Sequence, residues 1–178
     1  MKIFHICSDI SCRKLFNLKS RDGWIKAVYE IKRTAYGLHI IMGGIYEKDE
    51  IRKYTKEKRE LAATIKAPFS ILVDLRTAMP PDGEDAELLK QSHREMMHLD
   101  LQRMAVVVHS PVLKGNARQV LFDSGVSKYT RVIDASRLSN WEELALGWVV
   151  TAIEPDLSPE SCESAGQPVN GRLSTVKR

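Results

Sequence analysis

The residues best suited to chemistry stand at the ends of apolar runs. Asp74 and Arg76 close the run Phe69-Ser70-Ile71-Leu72-Val73, His109 and Ser110 follow Met104-Ala105-Val106-Val107-Val108, and Asp134 with Ser136 follows Thr130-Arg131-Val132-Ile133. An Asp, a His and a Ser gathered in one place would make the acid, base and nucleophile of a hydrolase. Asp74, Asp134 and His109 would also suit a metal ion. The local context argues against both readings. No Gly-x-Ser-x-Gly elbow presents a nucleophile, and Ser110 before Pro111 reads as a helix N-cap followed by proline at the first helical position. A further acidic group, Asp82-Gly83-Glu84-Asp85, reads as the cap and first turn of a helix, where carboxylates complement the helix dipole. No catalytic residue, metal ligand or cofactor is therefore assigned. Asp74, Arg76, Asp82, Glu84, His109, Ser110 and Asp134 are kept as candidates for binding a ligand or a partner.

For these residues to act together, the elements beneath them must bring their ends to one edge. Ile25 to Ile31 and Leu38 to Met42 are strand-like runs separated by a turn signal at Tyr36-Gly37, which predicts an antiparallel hairpin. Glu47 to Ile65 carries Ile51, Tyr54, Leu61, Ala62 and Ile65 at helical intervals, with Lys, Arg and Glu on a solvated face and Pro68 as the stop. Strands and helices then alternate. Phe69–Leu75 is a buried strand, Glu84–Leu99 a helix, Met104–Val108 a second buried strand, and Val112–Ser124 a helix with Val112, Val120 and Leu121 inward and Gly125 as its stop. Thr130–Asp134 is a short strand, and Asn140 is positioned to cap a last helix lined by Trp141, Leu144, Ala145, Trp148 and Val149. The fold class is α/β, with a mixed, mostly parallel sheet of four to five strands and four helices in the order β-β-α-β-α-β-α-β-α. In such a sheet, ligands collect beyond the carboxyl ends of the strands, so the polar strand ends should meet there.

Other patterns carry less. Met42-Gly43-Gly44-Ile45 lacks the spacing of a phosphate-binding loop and reads as a bulge or turn. His93 and His98 are five apart on one helix and read as surface residues, whereas Trp141 and Trp148, seven apart, read as core. Cys7, Cys12 and Cys162 are too few and too scattered for a disulfide framework. His5, Cys7 and Cys12 lack the fourth ligand and compact spacing of a zinc site.

The 178 residues carry a formal net charge of +4 with the charges interleaved, so no basic stripe predicts nucleic-acid binding. No apolar run approaches the roughly 20 residues of a membrane span, and Asp9, Arg13 and Lys14 break any secretory signal. A cytoplasmic protein is expected. Residues 1–23 read as an extension of uncertain order, 24–153 as the domain, and 154–178, rich in Pro, Ser, Glu and Gly, as a disordered tail.

Three stretches carry a likeness to a known family. Ile71-Leu72-Val73-Asp74-Leu75-Arg76, Val106-Val107-Val108-His109-Ser110-Pro111 and Val120-Leu121-Phe122-Asp123-Ser124-Gly125, in this order within residues 25–150, resemble the STAS family in its SpoIIAA-like, SEC14-like branch. The resemblance implies a cytoplasmic module that works by docking, with a protein partner or a second copy, or by binding a small apolar or nucleotide ligand. In anti-anti-sigma factors of that fold, a serine at the start of the helix after the Asp-Leu strand is phosphorylated. Here Asp82, Gly83 and Glu84 occupy that place, and Thr77 is the only nearby hydroxyl. The resemblance thus implies a regulatory module lacking the phosphoacceptor serine.

Overall fold

The computed structural model describes residues 28–45 and 48–158. Its elements are β1 (Val28–Thr34), β2 (Gly37–Gly44), α1 (Lys48–Ala63), β3 (Phe69–Ala78), α2 (Gly83–His98), β4 (Leu101–Val108), α3 (Pro111–Asp123), β5 (Thr130–Asp134) and α4 (Trp141–Thr151), with a single 3-10 turn over Ser127–Tyr129. The expected α/β order is present, and the strands form one five-stranded sheet in the order β1-β2-β3-β4-β5.

The β1–β2 hairpin is antiparallel and β2 through β5 run parallel. Each crossover steps one strand further in the same direction. Right-handed connections then place α1, α2 and α3 on one face, where Leu38, Ile40, Ile71, Val73, Met104, Val106 and Val108 meet Ile51, Tyr54, Met96, Leu113 and Leu121. Among the described residues no strand follows β5, and α4 folds onto the opposite face. There Ala145, Trp148 and Val149 pack on Leu72, Ala105, Val107 and Ile133.

Gly37 opens β2 at φ +137°, and a Cβ there would sit 2.2 Å from the Ser70 carbonyl oxygen, so only glycine allows β2 and β3 to start side by side. The expected irregularity at the next glycine pair is a register shift between β2 and β3, falling between Ile41 and Gly43.

Two arginines fasten α4 to the sheet. The Arg76 guanidinium lies 4.0 Å from the Trp141 ring centroid, and that of Arg131 lies 4.1 Å from Trp148. Trp148 Nε1 also donates to the Met104 carbonyl at 3.0 Å, which satisfies the one polar group of a buried indole.

Several expectations need correction. Lys58, assigned to the solvated face of α1, is buried, because it lies four residues after Tyr54 and four before Ala62 and so falls in phase with the core stripe. His93, read as a surface residue, has a buried Nδ1. Val112 is 66% exposed and Leu113 takes its place in the core. Asn140 precedes α4 but its side chain makes no capping bond, whereas Asp82 and Ser110 do cap α2 and α3. Residues 154–158 form no helix or strand, yet Glu154 pairs with Arg131 and Pro155 is buried, so this start of the expected tail is packed on the domain. The extension at 1–23, with its His5, Cys7 and Cys12, and the remainder of the tail with Cys162 lie outside the described residues.

Candidate functional site

The polar strand ends share an edge of the sheet but not a face. Asp74 is level with Val107 of β4, whereas Asp134 is level with Val108. Successive strand residues point to opposite faces, so this offset of one residue sends Asp74 toward α4 and Asp134 toward the three-helix layer. The expected meeting of Asp74, His109 and Asp134 is therefore not formed.

Each carboxylate is instead held by its own neighbours. Asp74 accepts from the Arg76 backbone amide at 3.0 Å, from Arg76 Nε at 3.0 and 3.1 Å, and from Arg76 Nη2 at 2.8 Å. In this fork-shaped pair the planar Arg76 guanidinium also lies over the Trp141 ring. Asp134 accepts from the Ser136 amide at 3.1 Å, the Ser136 hydroxyl at 2.6 Å and Lys114 Nζ at 3.1 Å. Burial pushes the Asp134 carboxyl up, but the Ser136 hydroxyl and Lys114 outweigh it and hold the group below the usual carboxylate range.

The remaining candidates are dispersed. Asp82 Oδ1 accepts from the Asp85 amide at 3.1 Å and Ser110 Oγ from the Leu113 amide at 3.5 Å, so both act as helix caps. Glu84 is an exposed first-turn residue of α2, and His109 is exposed. Among the described residues no hydrogen bond joins His109 to Ser110, Asp74 or Asp134, and no three His, Cys, Asp or Glu side chains are grouped as metal ligands would be. The edge is a set of local pairs and caps that shape the loops, without a nucleophile set against a base.

A different surface has the form of a site. Between α3 and β5 lies an open groove of about 550 Å³, mostly apolar in lining. Leu121, Phe122, Val132 and Leu157 line it, with Arg118, Gln119 and Ser127 supplying polar groups. Phe122 is 74% exposed, a large cost for an aromatic ring that nothing in the described chain covers. Among the described residues β5 is the last strand of the sheet, and no described strand lies on its outer side. Arg131 Nη1 donates to the Thr130 carbonyl at 3.0 Å, and Arg137 and Leu138 amides reach the Asp134 carbonyl at 3.1 Å, which leaves Val132 as the middle of the open edge.

The chain itself enters this groove. After α4 it turns at Ala152, φ +59°. Glu154 then forms a two-pronged ion pair with Arg131, Nη2 to Oε2 being 2.8 Å, Pro155 is buried, and Leu157 reaches the groove wall. The bond from Arg131 holds the Glu154 carboxyl below its usual range. Arg118 on the opposite wall makes no ion pair with another described residue.

None of Arg118, Phe122 or Leu157 stood out in the sequence as a site residue. A signal was present in α3: Gly115, Arg118, Gln119 and Phe122 share one helical stripe, and a Leu121-Phe122 pair cannot place both side chains in one core. No protein-family model matches this chain, and no curated protein does.

Proposed function

We propose that this chain is a non-enzymatic docking module of the STAS type that receives an extended segment of a protein partner in the α3–β5 groove. The observation that carries the proposal is the groove itself: apolar, open, bounded by an exposed Phe122 and by a strand edge that no other described strand pairs. Its occupant's chemistry is suggested by the stretch of this chain already lying there. Glu154 sets a carboxylate on Arg131, and three residues later Leu157 offers an apolar side chain to the wall. Arg118 awaits a second carboxylate on the other side. The fitting partner is an extended peptide that mixes acidic and apolar residues and adds to β5 through its main chain.

The regulatory part of the family likeness takes a modified form. The α2 start bears Asp82 as a cap and Glu84 in its first turn, and Thr77 lies within β3, well before the helix. A switch built on a phosphorylated serine has no residue to act on there. The small-ligand alternative, a lipid or nucleotide at the carboxyl edge of the sheet, is supported less well, because Asp74 and Asp134 already hold cations of their own.

The test is selection of binders from a displayed library of random linear peptides against the full chain, followed by calorimetry on the selected peptides. The expected peptides pair a carboxylate with an apolar residue, and their affinity falls tenfold or more in Phe122→Ser and Arg118→Glu. Both positions are exposed, so thermal stability should stay within about 0.5 kcal/mol of the parent. Peptides whose binding ignores both substitutions, or a selection that yields none, would sink the proposal.

A further inference from the structure

Among the described residues the most anomalous group is Lys58. Its side chain is 2% exposed. Its ammonium lies 5.2 Å from the centroid of the Tyr54 ring, and it forms no hydrogen bond or ion pair with any described residue. Buried ammonium groups are costly unless paired.

The groups facing it supply little compensation. From α1 itself comes Tyr54, and from β1 comes Tyr29, edge-on to Tyr54 and donating its hydroxyl to Glu57 at 2.9 Å. From α2 comes Glu95, the one carboxylate that attracts Lys58, which is also engaged by Arg59 at 4.0 Å and by Gln91 at 3.2 Å. Also from α2 comes His93, a second base whose buried Nδ1 has no hydrogen-bond partner among the described residues. His93 lies within electrostatic reach of Lys58. It lines a cavity of about 50 Å³ whose other walls, among them Leu89, Val106, Leu113 and Leu121, are apolar. Two basic side chains from adjacent helices thus lie within electrostatic reach of each other, Lys58 buried with Glu95 attracting it, and His93 with its Nδ1 shielded from water.

We propose that the α1–α2 seam is a proton-operated latch, closed while Lys58 and His93 are neutral and opened when they take up protons. The proposal stands apart from the docking reading, since the α3–β5 groove uses neither residue.

The electrostatics agree in sign. Burial drives Lys58 from 10.5 down to about 7, opposed in part by Glu95. Burial also drives His93 well below 6.5, and the Lys58 charge adds to the effect. In both cases the charged form is the protonated one and the folded value lies below the unfolded value, so the open state binds more protons. Closure therefore weakens as pH falls: through Lys58 between about 10.5 and 7, with no further loss below, and through His93 from 6.5 downward. The opening constant rises up to about tenfold per pH unit for each group within its window. Neutral pH lies where the two windows meet.

Hydrogen exchange followed by mass spectrometry on the full chain reads the latch directly. After correction for intrinsic exchange, protection across α1 and α2 should fall at least tenfold more than across β3 and β4 between pH 9 and pH 6. Lys58→Met, of similar length and uncharged, should remove most of the difference above pH 7, and His93→Leu most of it below. Equal pH dependence in the parent and the Lys58→Met chain overturns the proposal. Should Lys58→Met not fold, an NMR titration of the unaltered protein decides: a Lys58 side chain titrating below about 9 supports the latch, and one titrating above 10 overturns it.

Discussion

Removing Arg76 tests whether the sheet edge is a structural clasp, as its geometry indicates. Asp74 is 7% exposed and takes every described partner from Arg76. In Arg76→Ala the carboxylate keeps its burial and the backbone amide but loses three side-chain contacts of 2.8–3.1 Å. Breaking a buried pair from one side costs about 3–5 kcal/mol. The Arg76 side chain is 31% exposed, so water can enter its place, and the expected cost falls to about 2–3 kcal/mol, including the lost stack on Trp141. Arg76→Lys restores the charge without the fork or the planar stack and should recover about half. Asp74→Asn removes the need for a counter-ion. Adding Arg76→Ala to it should cost at least about 1.5 kcal/mol less than Arg76→Ala costs in the parent. Urea unfolding followed by far-ultraviolet dichroism measures each term; with a slope of about 2 kcal/mol/M, the Arg76→Ala midpoint drops by about 1–1.5 M. A loss under about 0.5 kcal/mol, or strict additivity in the cycle, would show that the pair is an ordinary surface contact and refute the reasoning.

Two further outcomes follow from single contacts. Gly37→Ala should lower stability by more than about 2 kcal/mol, because its Cβ would stand 2.2 Å from a backbone oxygen at φ +137°; a thermal midpoint unchanged within 2 °C would contradict this. The depressed Asp134 carboxyl makes the unfolded chain bind more protons in acid, so its stabilising effect is present above the ordinary carboxylate range and is lost as pH falls through the folded value. Lys114→Met should cost about 1.5–3 kcal/mol at neutral pH and flatten the acid limb of a stability–pH profile, and an unaltered acid limb would count against the assignment.

The architecture was legible because each local signal agreed with its neighbours. The Val108-His109-Ser110-Pro111 stretch announced a strand end and a capped helix, and Ser110 does cap α3. What could not be read was the face on which each strand end emerges. That depends on register between strands distant in sequence, and a one-residue offset between β3 and β5 against β4 was enough to separate Asp74 from Asp134. The burial of Lys58 is hidden for the opposite reason. Its phase in α1 points inward, but its residue type points outward, as it does for most lysines. The spacing of His93 and His98 says nothing of what packs on them, and the shielding of His93 comes from α1 and α3 beside it, a tertiary effect. The groove is not legible in the sequence because it forms beside β5, the last of the described strands, and takes a wall from a chain segment arriving from beyond α4.

The two tryptophans of α4 engage the sheet two helical turns apart, each beneath an arginine from a different strand. A helix advances 100° and 1.5 Å per residue, so both contacts hold only in one phase. One residue inserted or deleted between Trp141 and Trp148 would swing one indole off its arginine and carry Trp148 away from the Met104 carbonyl. Changes in the Ala135–Ser139 connection leave that phase intact. The length of the helix segment is thereby quantised, which makes α4 the element whose indels should be the rarest on this face of the molecule.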